Sequence, residues 1–149
     1  MDVKIVELPE QPTAVIREQV AMNALPEFFG RAFAEVSMAM EAQSMQPAGP
    51  PFALYRGMPT ATVDVEAGFP ASTTIAAVDG VRAGTLPACR AVQAMHVGSY
   101  DTLVKTYEAV KQRMREEGLE ASEHMWEYYL SDPSTDSATW RTLVVWPVL

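Results

Sequence analysis

A single cysteine, Cys89, stands in 149 residues, so no intrachain disulfide can form and a reducing compartment is expected. Basic side chains are also few: 11 Lys and Arg against 19 Asp and Glu, a net charge of −8. Phosphate binding needs clustered Lys and Arg, and here they are scattered, so no nucleic-acid partner is expected. The two histidines, His96 and His124, lie far apart with no Cys or His at ligand spacing, so neither a metal site nor a cofactor is expected. No apolar run approaches a membrane span, so no membrane partner is expected. Met1-Asp2-Val3-Lys4-Ile5 does not place an apolar stretch after a basic one, as a signal peptide would. The chain therefore reads as soluble and cytoplasmic, a monomer or a homodimer. Its acidic surface serves solubility and suits cationic small molecules better than anionic ones.

Hydrophobic residues make up 48% of the chain and charged ones 20%, as in an ordinary globular protein, and the length suits one domain over residues 1–149. Alternation predicts strands at Lys4–Leu8, stopped by Pro9, and at Thr13–Val20. Asn23 is a candidate cap and Pro26 a first-turn residue for a helix from Glu27 to about Gln46. There Phe28, Phe29, Ala32, Phe33, Val36 and Met40 keep helical spacing. The loop Gln46–Pro51, QPAGPP, breaks it. Strands follow at Phe52–Arg56 and Thr60–Glu66, separated by a GMP turn at Gly57–Pro59. Asp79-Gly80 and Ala83-Gly84 then punctuate a hairpin-like region. Cys89–Val97 reads as a strand, Ser99 as the cap of a helix from Tyr100 to about Glu117, and Gly118 as its stop. Two last strands, Met125–Leu130 and Thr139–Trp146, flank a loop.

The order strand, helix, strand, strand occurs twice. Ala14-Val15 and Ala91-Val92 occupy matching places, as do Phe52–Tyr55 and Trp126–Tyr129. Element order more than identity carries this duplication, with one repeat over about 1–78 and the other over about 79–149. The expected fold class is α+β: duplicated β-α-β-β units forming a pseudo-twofold antiparallel sheet. Two long helices lie on one side, and a ligand cleft lies between the halves.

The stretch Trp126-Glu127-Tyr128-Tyr129 sets a carboxylate inside an aromatic strand that Asp132-Pro133 ends. Glu127 either faces water on an exposed sheet face or is a buried acid among aromatics. Because side chains alternate, Glu127 shares a face with Tyr129, and Trp126 shares the other with Tyr128. A desolvated carboxylate must take up a proton or recruit a cation, and a phenol beside it can hydrogen-bond it.

Several segments in the same order resemble the GyrI-like small-molecule-binding domain, also called the AraC effector-binding or SOUL-related family. They are PPFALYRG (Pro51–Gly57), VDVEAGFP (Val63–Pro70), the run Leu86–Gly118 containing HVGSY, WEYYLSDP (Trp126–Pro133) and TLVVWPV (Thr142–Val148). The resemblance implies a cavity in which multidrug-sensing relatives hold a glutamate amid aromatics and bind lipophilic cations. Some standalone relatives instead hydrolyse cyclopropane-bearing natural products. Glu127 sits where that pattern places its acid. The resemblance implies a lining of Glu127, Tyr129, Tyr55, Trp126, Phe52, Glu66, His96 and Tyr100. No helix-turn-helix stands before the first strand, so a transcriptional role would require a partner that binds DNA.

Other groups carry weaker signals. His96, on a strand, has the titration range of a base, though a lone histidine there ordinarily satisfies its ring nitrogens locally. Cys89 has no neighbouring base and reads as structural. Asp64 and Glu66 share one strand face, more simply a solvated one. Nine methionines suit a pocket that repacks around different ligands, and they also fill ordinary cores; Met38 and Met40 cannot both face one side of a helix. Trp140 and Trp146 are expected on one face of the last strand.

Three functions follow. The first is binding of lipophilic, cationic aromatic compounds, for sequestration or sensing. The second is a hydrolase that opens strained rings by water addition, with Glu127 and Tyr129 catalytic. The third is inhibition of a larger enzyme through the acidic surface.

Overall fold

The computed structural model describes residues 2–57, 59–132 and 134–149. The GMP turn and the Asp132-Pro133 strand stop each include a residue outside that set. Among the described residues, eight strands and two long helices form: β1 (Val3–Leu8), β2 (Gln11–Ala21), α1 (Leu25–Ala42), β3 (Phe52–Arg56), β4 (Thr62–Pro70), β5 (Arg82–Leu86), β6 (Cys89–Val97), α2 (Leu103–Glu116), β7 (His124–Tyr129) and β8 (Arg141–Pro147). The fold is α+β, and every strand pairing described below is antiparallel. No helix among the described residues is long and apolar enough to cross a membrane.

Two compact units result: Glu10–Pro87, and the residues up to Pro9 together with Ala88–Leu149. In the first, the sheet order is β3-β4-β2-β5, and α1 packs on β2 and β4. Its apolar stripe, Phe28, Ala32, Val36, Ala39 and Met40, is buried at helical spacing, while Met38 points to solvent at 69% exposure. Phe33 of α1 meets Phe69 of β4 edge-on at 5.9 Å between ring centroids, which places Val63, Val65 and Ala67 on the helix side of that strand. In the second unit the order is β1-β6-β8-β7, and α2 packs on β6, β1 and β8. Val110 and Met114 of α2 close a core with Val92, Ala94 and Val144, against which Val3, Ile5, Met125 and Trp146 pack.

Both units share one topology, and their registers agree. Ala14 pairs with Ala83 in one unit and Ala91 with Val6 in the other, so one displacement along the chain carries Val6 onto Ala83 and Ala14 onto Ala91. The edge strands are exchanged, however. β1 pairs with β6 and β5 with β2, so each copy of the repeat begins with a strand that joins the other unit's sheet.

Several local expectations shift. Asn23 lies in a 3-10 turn, Met22–Ala24, and α1 starts after Ala24 without a side-chain cap, Pro26 supplying the first-turn signal. The helix ends at Ala42, short of Gln46, because Ser44 turns left-handed (φ 58°) and Met45 N–H bonds Met40 C=O at 2.8 Å. β4 spans Thr62–Pro70, starting after Thr60 and running on past Glu66, where alternation ends the strand. Gly84 lies within β5, while Asp79-Gly80 does make the tight turn between Val78 and Val81. Ser99 precedes a 3-10 turn, Tyr100–Thr102, and its hydroxyl makes no capping bond. Trp140 stands before β8 rather than in it, so it does not share a strand face with Trp146.

Candidate functional site

The aromatics of His124–Tyr129 favour a strand, and β7 pairs with β8 so that Glu127 faces Val144 and Tyr129 faces Thr142. β8 in turn pairs with β6, Val144 with Ala94 and Thr142 with His96. Directly opposed residues share a sheet face. Glu127 and Tyr129 therefore stand on the face of Val144, Thr142, Ala94 and His96, the face on which α2 lies. Trp126 and Tyr128 point the other way; Trp126 is buried and does not accompany the acid.

Glu127 is 4% exposed. The Tyr129 hydroxyl donates to its Oε1 at 2.8 Å. Burial deprives the carboxylate of water and raises its pKa to about 7, and the phenol's hydrogen bond offsets only part of that. Tyr100 lies in the 3-10 turn leading into α2 and is half exposed. Its ring meets Tyr129 at 6.0 Å, edge-on, and Trp140 at 5.1 Å, tilted. Burial pushes the Tyr100 hydroxyl upward, and the nearby charge of Glu127 adds to that. Trp140 is anchored by its indole N–H, which donates to Thr135 C=O at 3.1 Å. The carboxylate thus has the Tyr129 phenol bonded to it and Tyr100 nearby, while Trp140 extends the aromatic contact on from Tyr100, a composition that attracts a delocalised cation.

The fold thus brings Glu127, Tyr129 and Tyr100 together and adds Trp140, which sequence reading had assigned to the last strand. The adjacency of Tyr100 and Trp140 comes from two turns meeting, and no spacing rule signals it. Phe52, Tyr55 and Glu66 belong to the Glu10–Pro87 unit. Phe52 is buried, Tyr55 is half-buried, and both lie on β3.

Glu66 is not on a solvated face: it is 4% exposed and paired with Arg56, whose Nε donates to Oε2 at 2.7 Å and whose Nη2 donates to the same oxygen. Leu54 stands directly opposite Glu66, so Arg56 reaches it diagonally. Asp64 does keep a partly exposed partner, Arg17, at 2.7 Å, which holds its carboxyl below the usual range. His96 spends both ring nitrogens inside its unit, Nδ1 on Thr106 Oγ1 at 2.7 Å and Nε2 on Ser99 O at 2.9 Å. The half-buried Cys89 thiol is pushed upward by burial and then by Glu7, as suits an inert cysteine.

The family profile of the GyrI-like small molecule binding domain matches residues 1–149. No curated protein matches the sequence. Among solved structures, the C-terminal domain of EcmrR superposes with a TM-score of 0.85 at 22% identity, over 99% of this chain and 97% of that one. In the EcmrR–DNA complex the chain spans only 57% of the EcmrR polypeptide. SAV2435 bound to tetraphenylphosphonium gives a TM-score of 0.72 at 14% identity, over 100% and 94% of the two chains. A hydrolase from Listeria innocua gives 0.68 at 17% identity, over 99% and 91%. At these identities the likenesses bear on the fold.

Proposed function

The chain belongs to the GyrI-like small-molecule-binding domain family, and from that premise we propose that it captures lipophilic, cationic aromatic compounds beside Glu127. The observation that carries the reading is a buried carboxylate hydrogen-bonded by the Tyr129 phenol, with Tyr100 packed on Tyr129 and Trp140 on Tyr100. A buried acid of this kind is stabilised in its ionised form by a bound cation, and ring faces add roughly 0.5–2 kcal/mol per contact. Sequestration or sensing of such compounds is the biological role this implies. SAV2435, which shares the fold, was solved with tetraphenylphosphonium, and that cation is the natural first probe.

The test is a titration of wild type and Glu127→Gln with tetraphenylphosphonium and with neutral triphenylphosphine oxide, read by tryptophan quenching. Wild type should saturate with the cation, and the variant should bind it at least about tenfold more weakly, about 1.4 kcal/mol, with the neutral compound unaffected. Equal affinity of the two proteins for the cation would overturn the reading.

The near-neutral pKa of Glu127 favours one second reading, that of a hydrolase of strained, cyclopropane-type electrophiles. An acid titrating near 7 can take a proton from water as the water oxygen attacks a ring carbon. The ring C–C bond breaks toward an electron-accepting group on the substrate, whose developing oxyanion Tyr129 would hydrogen-bond, and the proton held by Glu127 then passes to that anion. A product heavier than the substrate by one water, formed by wild type and not by Glu127→Gln, would establish it.

A further inference from the structure

We propose that His96 is a positioning residue of the Glu127 site, which acts through the Ser99 carbonyl to set the Tyr100 ring against Tyr129. The proposal rests on the reading of Glu127 as the ligand's acid and assigns the part that holds the aromatic wall beside it. A carbonyl oxygen only accepts, so the ring N–H is on Nε2, donating to Ser99 O at 2.9 Å. In the neutral ring Nδ1 then accepts from the Thr106 hydroxyl at 2.7 Å. Ser99 immediately precedes Tyr100, and Thr106 lies in the first turn of α2, so one imidazole clamps both ends of the segment that carries Tyr100. His96 is 3% exposed and Thr106 is fully buried, so water is poorly placed to replace either bond.

Two further bonds fix the same turn. Thr102 Oγ1 donates to Ser99 O at 3.1 Å. Gly98, at φ 127°, sends its N–H to Trp140 C=O at 2.8 Å, which ties down the second ring in contact with Tyr100. That backbone conformation suits glycine because a side chain there would be strained.

Among the described residues, Thr142 offers no hydrogen-bonded route across the sheet. Thr142 stands between His96 and Tyr129 in one cross-strand row, fully buried, and its hydroxyl has no hydrogen-bond partner among the described residues. The link from His96 to the acid therefore runs through the turn and Tyr100, and it is mechanical.

The experiment is a double-mutant cycle on tetraphenylphosphonium affinity, with His96→Leu and Thr106→Val each measured alone and combined with Tyr100→Ala. Thr106→Val keeps the side-chain shape and removes only the Nδ1 partner, so it carries the test if His96→Leu does not fold. Each single change should weaken binding by about tenfold or less, and neither should weaken it further once Tyr100 is alanine. Hydrogen exchange of residues 98–103 should rise in both variants without ligand, with the β7 and β8 amides unchanged. Losses that add fully to that of Tyr100→Ala, or exchange that rises throughout the unit, would overturn the proposal. If Glu127→Gln fails to weaken binding, the ligand reading falls, while the exchange experiment still decides the role of His96.

Discussion

A glutamate in water has lost most of its protons by pH 5, whereas Glu127, with its pKa raised to about 7, keeps half of its protons near neutrality. The folded-state value lies above the ordinary 4.5, so between those two values the native state binds more protons than the unfolded chain. Stability should therefore fall as pH rises through that window and level off above it, by about 3 kcal/mol in total. Glu127→Gln removes the titration. It should unfold at higher denaturant than wild type at pH 8, with the two converging near pH 4.5. Urea midpoints at both pH values check this, and a wild-type advantage at pH 8 would mean that the carboxylate is better solvated than its burial indicates. A variant that is more stable and binds worse is the usual signature of a functional residue held at a cost. Glu66, equally buried, has the Arg56 guanidinium as its counter-charge and offers a ligand cation no comparable vacancy of charge.

The two helices end by the same device with different residues. In α2, Gly118 takes the left-handed conformation (φ 65°), Leu119 N–H bonds Met114 C=O at 2.8 Å, and Leu119 packs back onto the core. In α1 the equivalent place belongs to Ser44, exposed and at φ 58°. A left-handed non-glycine residue costs about 1–2 kcal/mol, and glycine gives back part of that in unfolded-state entropy. Ser44→Gly should therefore stabilise the protein by about 0.5–1 kcal/mol, measurable as a higher melting temperature with ligand affinity unchanged. The glycine stop of α2 was legible because its sequence signal is also its physical cause. The stop of α1 was not, because serine carries no such signal and the Pro-rich loop three residues on offered a louder one.

For the molecule as a whole, the exchange of β1 and β5 means that chain order and spatial order differ. Ile5 precedes the whole Glu10–Pro87 unit, yet it packs against Val92, Val110 and Val144 of the other. Truncating it to alanine should cost about 1–2 kcal/mol, less than a fully buried site because Ile5 is only partly covered. Hydrogen exchange should quicken in β6 and β8 and not in β2 and β4. Loss of protection confined to residues 10–87 would contradict the pairing. The acidic balance of the chain also belongs to this scale: a net charge of −8 raises the local concentration of cations around any site on the molecule, in a salt-dependent way.

The sequence by itself determined what local stereochemistry determines. Alternation put Glu127 and Tyr129 on one face of β7, helical spacing buried Val36 and Met40 while exposing Met38, and a repeated order of elements announced two like units. None of these depends on what lies across space. Tertiary structure decided the rest. Burial of Glu127 comes with its place beside β8 and near the Tyr100 turn. The Glu66–Arg56 pair depends on the register of β3 against β4, and Trp140 reaches Tyr100 only because two turns distant in sequence converge. The pairing of β1 with β6 is likewise a tertiary contact. Such contacts join residues ten or more positions apart, and a short apolar strand fits several edges about equally well, so the sequence pattern leaves the choice open until the core is packed.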